Sequence, residues 1–307
     1  MGVRVYGRAA ESAVPARARR RPKGKAGVAL VCLLGLVVAV AGCSPSDRPS
    51  SGTKGTGPKG TGSKASARSV VVPTANMTFD YQLGGPYAPP SGVRAVARDR
   101  TAPPAKGLYN ICYVNAFQAQ PDALHWWQRT HPDLLLRDSD GELIIDDDWN
   151  EALLDISSAT KRTRLAAIVG GWIDGCARSG FQAVEPDNLD SYERSDGHLG
   201  KADNAAFAAL LTDRAHTAGL AIGQKNATDL LPEHRSIGFD FAVVEECGRY
   251  GECAEFADAY HQRVFDIEYR RADFRTTCDT WGARLSVVQR DLEVQPAGTK
   301  GHTFHRC

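Results

Sequence analysis

Polar and charged side chains follow four short apolar runs of the sequence, at the point where each run ends. The runs have the composition of buried strands in a parallel sheet. In a barrel of parallel strands, the carboxyl ends of the strands meet at one edge, where active sites are built. We therefore expect these side chains to form a catalytic site. They are Glu185, Asp187 and Asp190, then Lys225 and Asn226, then Glu245 and Glu246, then Glu268.

Two carboxylates from separate strands are the groups that cleavage of a glycosidic bond requires. One is protonated and donates its proton to the leaving oxygen, while the other attacks the sugar or activates a water molecule. Asp187 and Glu245 suit this chemistry, because they end predicted strands that lie two apart and could face each other across a barrel mouth.

Three other acids compete for these roles. Side chains alternate along a strand, so Glu185 is expected on the same inward side as the residue two positions later. Glu246 directly follows the second candidate, and Asp190 begins the loop after the first. For each acid, the alternative is an ion pair with Lys225 or with the arginines at 270 and 271.

Short apolar runs alternate with helix-length amphipathic stretches, which is typical of an α/β protein with a parallel sheet. Together with the length of residues 70–307, this pattern predicts one (β/α)8 TIM barrel. Nine runs compete for eight strand positions, so one is an extra strand or is not a strand. The runs are Phe79–Leu83, Ala95–Arg98, Leu108–Val114, Leu153–Ile156, Phe181–Val184, Leu220–Gly223, Phe241–Val244, Val264–Ile267 and Leu285–Val288.

Two helices of the barrel have clear limits in the sequence. Apolar residues recur at spacings of three and four over Thr160–Arg178 and Asp203–Ala218. Gly180 and Gly219 follow as stop signals, and the second helix has an aspartate as its candidate N-cap. Trp172 lies on the apolar face of the first helix and is predicted to belong to the core.

The N-terminus has the features of a bacterial signal peptide. A segment rich in Arg and Lys precedes the apolar segment Ala26–Ala39, which is shorter than the about 20 residues of a membrane-spanning helix. The apolar segment ends in Val-Ala-Gly-Cys43, which resembles the lipobox, where the cysteine becomes diacylated and N-terminal. The alternative is an ordinary signal peptide with an unmodified cysteine.

The following segment contains mostly Gly, Ser, Thr, Pro and Lys, the composition of a flexible linker. The sequence thus predicts a signal peptide at 1–42, a lipidated Cys43 with its linker at 43–69, and a barrel domain at 70–307. We expect the protein on the extracellular face of the cell membrane, held by the lipid.

Charge is distributed unevenly along the chain. The first 69 residues hold 13 of the 37 Lys and Arg but two of the 36 acidic residues. The barrel domain therefore carries 24 basic and 34 acidic residues, a net charge of −10. Such a domain disfavours nucleic acid and attracts a cationic polymer. No cofactor is expected, and we expect a monomer.

Six of the eight cysteines lie in the barrel domain, and an even number in an exported domain favours disulfides. We expect the pairs Cys247–Cys253 and Cys278–Cys307. Cys112 and Cys176 either pair with each other or remain buried thiols. A metal site is not expected, because the sequence lacks CxxC and HxxxH spacings.

Six motifs in the order of the chain resemble glycoside hydrolase family 114, a family of TIM-barrel endo-α-1,4-polygalactosaminidases. The resemblance covers nearly all of residues 79–307, and the VEPDN-LDSY and E-x-C-x-x-YGEC elements are its specific parts. The motifs are FDYQLGG (79–85), NICYVNAF (110–117), GFQAVEPDNLDSY (180–192), AGLAIGQKN (218–226), FDFAVVEECGRYGEC (239–253) and VFDIEYR (264–270).

The resemblance implies hydrolysis of α-1,4-linked galactosamine polymers, with Asp187 as nucleophile and Glu245 as general acid/base. It also implies a sugar cleft lined by Tyr81, Tyr113, Asp190, Lys225, Asn226 and Glu268. The chain has Val244-Glu245-Glu246 where the family has Asn-Glu-Gln, so the choice between the two glutamates stays open.

Two other functions fit the same features. One is a non-catalytic carbohydrate-binding lipoprotein that keeps the barrel without turnover. The other is a sugar-active barrel with a different linkage specificity. Both candidate acids are present, which favours the enzyme.

The lipid anchor leads to a direct prediction. Cys43→Ser removes the only side chain that could be acylated at the end of the apolar segment, so the variant should appear in the culture medium. Membrane fractionation of producing cells measures the distribution, with the unmodified chain as the control. A variant that stays in the membrane fraction contradicts lipidation at this cysteine.

Overall fold

The computed structural model describes residues 69–307. The predicted signal peptide, Cys43 and all but the last residue of the predicted linker lie outside the described residues. Within the part that the structure describes, no helix combines the length and the apolar character needed to cross a membrane.

Eight parallel strands form the barrel, and the TIM-barrel prediction is confirmed. The eighth strand lies beside the first, where a buried ion pair joins Arg290 to Asp80 at 3.3 Å. One extra strand, β12 (Phe304–Arg306), pairs antiparallel with the eighth. In spatial order the eight are β1 (Phe79–Gln82), β2 (Ala95–Asp99), β3 (Tyr109–Asn115), β7 (Ala183–Asp187), β8 (Ala221–Lys225), β9 (Phe241–Glu245), β10 (Val264–Glu268) and β11 (Ser286–Arg290).

The barrel interior combines small and aromatic side chains. Ala183 and Ala221 line it opposite Phe79, Phe241 and Phe265, all of them buried. The glycine at 223 is required for this packing, because a Cβ there would lie 2.7 Å from the Phe241 ring. The lower barrel is therefore solid, and polar chemistry is confined to the carboxyl edge.

Helices cover the outer face of most of the barrel. They are α1 (Leu124–Thr130), α2 (Ala159–Ser179), α3 (Lys201–Thr217), α4 (His234–Ile237), α5 (Cys247–Tyr250), α6 (Cys253–Ala259) and α7 (Arg271–Trp281). As predicted, α2 ends at Gly180, which adopts φ +97°. The prediction that Asp203 is the N-cap of α3 is wrong, because Gly200 is the N-cap. The carboxylate of Asp203 accepts a hydrogen bond from the backbone N–H of Gly200 at 3.0 Å.

One of the nine predicted strands lies outside the barrel. The run Leu153–Ile156 begins at the last residue of β6 (Glu151–Leu153), in a small antiparallel sheet with β4 (Gln118–Ala119) and β5 (Ile145–Asp146). The run is apolar because it packs in the layer between barrel and helices, not because it belongs to the barrel wall.

Three disulfides close the part of the fold that the structure describes. The expected pairs Cys247–Cys253 and Cys278–Cys307 are confirmed, and Cys112 pairs with Cys176, which joins β3 to α2. Asp266 lies close to the Cys247–Cys253 bond, but the two sulfurs bind each other, so neither is a thiolate ligand for a metal.

The disulfides should contribute unequally to stability. Cys112 and Cys176 are 64 residues apart, whereas Cys247 and Cys253 are six apart, so the first bond restricts the unfolded chain more. Replacing the long-range pair with alanines should lower the free energy of unfolding by about 4 kcal/mol, against about 2 kcal/mol for the short-range pair. Chemical denaturation of the two double variants measures both values, and a larger loss for the short-range pair contradicts the expectation.

Candidate active site

A buried lysine lies at the centre of the site. The ammonium group of Lys225, whose side chain is 2% exposed, lies 3.2 Å from Glu185 Oε1, 3.2 Å from Asp187 Oδ1 and 3.5 Å from Glu245 Oε2. It also donates to the hydroxyl of Tyr81 at 3.2 Å. These five residues, here called the active-site cluster, come from β1, β7, β8 and β9.

Three tyrosines each donate a hydrogen bond to one of the carboxylates. Tyr81 donates to Glu185 at 2.8 Å, and Tyr113 donates to Asp187 Oδ2 at 2.8 Å. Tyr269 donates to Glu245 Oε1. Burial raises the pKa of all three phenols far above the usual value, and the neighbouring carboxylates raise it further. The phenols therefore stay protonated and act as fixed donors.

Opposing effects determine the charge of the lysine. Burial lowers the pKa of Lys225, but Asp187, Glu245 and Glu185 together raise it by more, so the net shift is upward. The amine therefore stays protonated, as its three carboxylate neighbours require.

Exposure separates the three acids into two classes. The side chain of Glu185 is fully buried, whereas those of Asp187 and Glu245 are 20% and 28% exposed. Burial raises the pKa of Glu185 to about 7, with a further increase from Asp187 and an opposing effect of Lys225. Glu185 therefore lies beneath the site, and the two exposed acids are the ones that a ligand can reach.

Asn226 holds Glu245 in place. Its amide group donates to Glu245 Oε2 at 3.3 Å, and its Oδ1 accepts the backbone N–H of Glu245 at 2.8 Å. Asn226 itself adopts φ +44° at the end of β8, a conformation that asparagine tolerates better than most residues.

Glu246 is turned away from the lysine. It adopts φ +60°, and both of its oxygens accept hydrogen bonds from Arg249, at 2.7 and 2.9 Å. Asp190 makes an ion pair with Arg194 at 2.8 Å. Of the two adjacent glutamates, the structure thus brings only Glu245 into the active-site cluster.

The expected position of Glu268 in the cleft is corrected by the structure. Its side chain is fully buried and accepts the backbone N–H of Gly248 at 2.7 Å. Alternation along β10 is the physical reason, because Ile267 faces the barrel interior and its neighbour faces the covering helices. A Cβ on Gly248 would lie 2.8 Å from the Glu268 carboxylate, so only glycine fits there.

Sequence reasoning missed two residues of the site. Tyr269 follows the last strand residue, and strand alternation continued from Ile267 would have turned it inward. Glu151 lies in the small sheet and has no periodic signal. Its Oε2 accepts a hydrogen bond from Asn115 at 2.7 Å, and burial raises its pKa to about 7, with Asp187 among the smaller contributions.

Glu185 should make stability depend on pH in a defined direction. Its pKa of about 7 in the folded protein exceeds the ordinary value of 4.5, so the folded state binds the proton more tightly. Its contribution is therefore full below pH 4.5 and is lost as the pH rises through about 7. Relative to wild type, the free energy of unfolding of Glu185→Gln should increase across this window, by up to about 1.4 kcal/mol per pH unit.

Chemical denaturation of both proteins, at pH values on either side of the window, measures the difference. Asp213→Asn is a suitable control, because this acid is exposed to solvent on α3. A wild-type-to-variant difference that does not change with pH contradicts the raised pKa.

Comparison with known proteins identifies the family. The sequence matches the profile of Glycoside-hydrolase family GH114 over residues 60–307. The fold is similar to that of Ega3 from Aspergillus fumigatus, crystallised in complex with galactosamine, with 26% identity, a TM-score of 0.62 and coverage of 78% of this chain and 98% of that one. It is also similar to the glycoside hydrolase domain of PelA from Pseudomonas aeruginosa, with 16% identity, a TM-score of 0.53 and coverage of 73% and 97%.

A search of the sequences of curated proteins gave no match. The family profile spans most of the chain, including every strand that carries the active-site cluster. The protein is therefore a glycoside hydrolase and belongs to family GH114.

Proposed function

We propose that the protein hydrolyses α-1,4-linked galactosamine polysaccharide with Asp187 and Glu245 as its catalytic pair. The observation that carries this proposal is the active-site cluster. Two partly exposed carboxylates from β7 and β9 contact one buried ammonium group between them, on β8. A substrate lying across the carboxyl edge would therefore meet both acids at once.

In the proposed reaction Asp187 is the nucleophile. Tyr113 and Lys225 each hold one of its oxygens, at 2.8 and 3.2 Å, which fixes the carboxylate for attack on the anomeric carbon. The new bond from Asp187 to the sugar forms as the glycosidic bond breaks. Glu245 supplies the proton that the leaving oxygen takes up.

The second half of the reaction reverses these roles. Glu245 removes a proton from water, whose oxygen attacks the anomeric carbon and displaces the Asp187 carboxylate. Tyr269 and Asn226 keep Glu245 in position through both halves.

Retention of configuration is favoured by the spacing of the acids. Both contact the same nitrogen atom, at 3.2 and 3.5 Å, so the gap between their nearest oxygens is at most about 6.7 Å. Separations of about 5–5.5 Å are typical of retaining glycosidases and about 6.5–9.5 Å of inverting ones.

The amino-sugar substrate is supported by two observations. Ega3, whose fold is similar, was crystallised in complex with galactosamine. The barrel domain carries a net charge of −10, which would attract a polymer whose free amino groups are protonated. We further propose that lipid on Cys43 holds the enzyme on the outer face of the cell membrane.

The two catalytic roles are tested by conservative substitution. Asp187→Asn and Glu245→Gln should each lower kcat at least about a hundredfold, because a nucleophile or a proton donor is lost while the shape of the side chain is kept. The assay counts new reducing ends released from de-N-acetylated polygalactosamine, and circular dichroism checks the fold of each variant.

Glu246→Gln is the matched control. Its carboxylate binds Arg249 and not Lys225, so its kcat should stay within about threefold of wild type. Loss of turnover in Glu246→Gln with normal rates in Glu245→Gln would move the acid/base by one residue. Binding of the polymer without any cleavage by the wild-type protein would favour a carbohydrate-binding function instead.

A further inference from the structure

A cavity of about 200 Å³ lies on the side of the barrel between the end of β2 and helix α2, apart from the active-site cluster. Three tryptophans, three amides and one arginine form most of its lining, one of the amides being that of Gln120. The others are Trp126, Trp127, Trp172, Asn115, Gln118 and Arg100. None of these side chains belongs to the active-site cluster.

The cavity is adjacent to the catalytic acids through Asn115. This residue pairs with Asp187 in the ladder between β3 and β7. Its Oδ1 accepts a hydrogen bond from Asn188 at 3.1 Å, and its Nδ2 donates to Glu151 at 2.7 Å. A polymer bound across Asp187 therefore passes close to the cavity.

Gln118 supplies the cavity with a buried polar atom that lacks a partner. Its side chain is 1% exposed, and its Nε2 donates to Asp146 at 3.2 Å. Its Oε1, however, accepts no hydrogen bond within the described part of the chain. A buried carbonyl oxygen without a donor costs free energy. This oxygen is closed to solvent, so a ligand hydroxyl or amide N–H binds it only when the Gln118 side chain turns toward the cavity.

The tryptophans give the cavity the character of a sugar site. Trp126 is 38% exposed although it packs edge-on against Trp127, with ring centroids 4.9 Å apart. Trp172 was predicted to be core; it does pack against Trp127 and the apolar core, yet it also lines the cavity. The partly exposed ring of Trp126 beside amide groups suits a ring that is apolar on its faces and polar on its edges.

The charges at the cavity select against an ammonium group. The guanidinium of Arg100 lies over the ring of Trp172, 4.5 Å from its centroid. The lining residues include no acid, and Asp146, behind Gln118, is neutralised by Arg194 at 2.8 Å. The positive charge of Arg100 would repel a protonated amino sugar, whereas an uncharged sugar would not be repelled.

We propose that this cavity binds an uncharged, N-acetylated hexosamine unit of the substrate chain, at a position that is not cleaved. The acidic cluster then takes a unit with a free amine, so the enzyme would prefer partly acetylated polymers. The claim that the bound sugar belongs to the substrate chain rests on the proposed function. The claim that the cavity binds an acetylated sugar does not depend on it.

Binding is measured by calorimetry in the Glu245→Gln background, which keeps the probes intact. The probes are tetramers of α-1,4-linked N-acetylgalactosamine and of galactosamine. Adding Trp126→Ala should weaken binding of the acetylated tetramer at least about tenfold, and of the galactosamine tetramer less than about twofold. Leu210→Ala, at a comparably exposed site on α3, should change neither affinity.

Arg100→Glu provides a second variant, at an exposed position that does not affect packing of the core. It should strengthen binding of the galactosamine tetramer relative to the acetylated one by about fivefold or more. Its control is Arg284→Glu. That guanidinium lies over the ring of Trp281 in the same way, 4.1 Å from the centroid, but just after the end of α7 and away from the cavity.

The outcomes separate this inference from the proposed function. Equal losses for both tetramers, or no loss in Trp126→Ala, overturn the cavity assignment whether or not the wild type cleaves the polymer. Selective loss of the acetylated probe supports the assignment even if the wild type proves unable to hydrolyse polygalactosamine. If the wild type does hydrolyse it, Trp126→Ala should raise KM for partly acetylated polymer and leave kcat unchanged.

Discussion

The structure of the site depends on one buried positive charge. The ammonium of Lys225 has almost no contact with solvent, and removing such a group from water is costly unless opposite charges surround it. Glu185, Asp187 and Glu245 provide those charges, and Tyr81 adds a hydroxyl. Any arrangement that satisfies the lysine therefore also brings the two accessible acids together above it.

The barrel supplies the geometry that this charge requires. Because β8 lies between β7 and β9, a long side chain at its end reaches acids on both neighbours. Below this level the interior is filled by buried apolar side chains, alanines and phenylalanines among them, so the lysine lies above an apolar interior. The buried Glu185 balances the lysine from below, which leaves Asp187 and Glu245 facing outward for a substrate.

The sequence was sufficient for the barrel and for the location of its chemistry, because strands that end in charged residues leave a local signal. The places of Asp187 and Glu245 at the barrel edge follow from this signal, whereas two of the three disulfides were predicted separately, from the cysteines. The direction of a side chain is harder to predict, because it depends on the phase of each strand. Glu268 ends β10 and Tyr269 follows it, and the two side chains point to opposite sides. The ladder with β9 reveals which one faces inward. Glu151 comes from a small inserted sheet, and only the folded chain brings it near Asp187.

The most direct test of the two-carboxylate assignment is the configuration of the newly formed reducing end, followed by proton NMR before mutarotation. If Asp187 forms a bond to the sugar and Glu245 then activates water, two inversions occur and the α-anomer must appear first. Initial release of the β-anomer from the α-linked polymer would mean a single displacement, and would contradict the role of Asp187 as nucleophile.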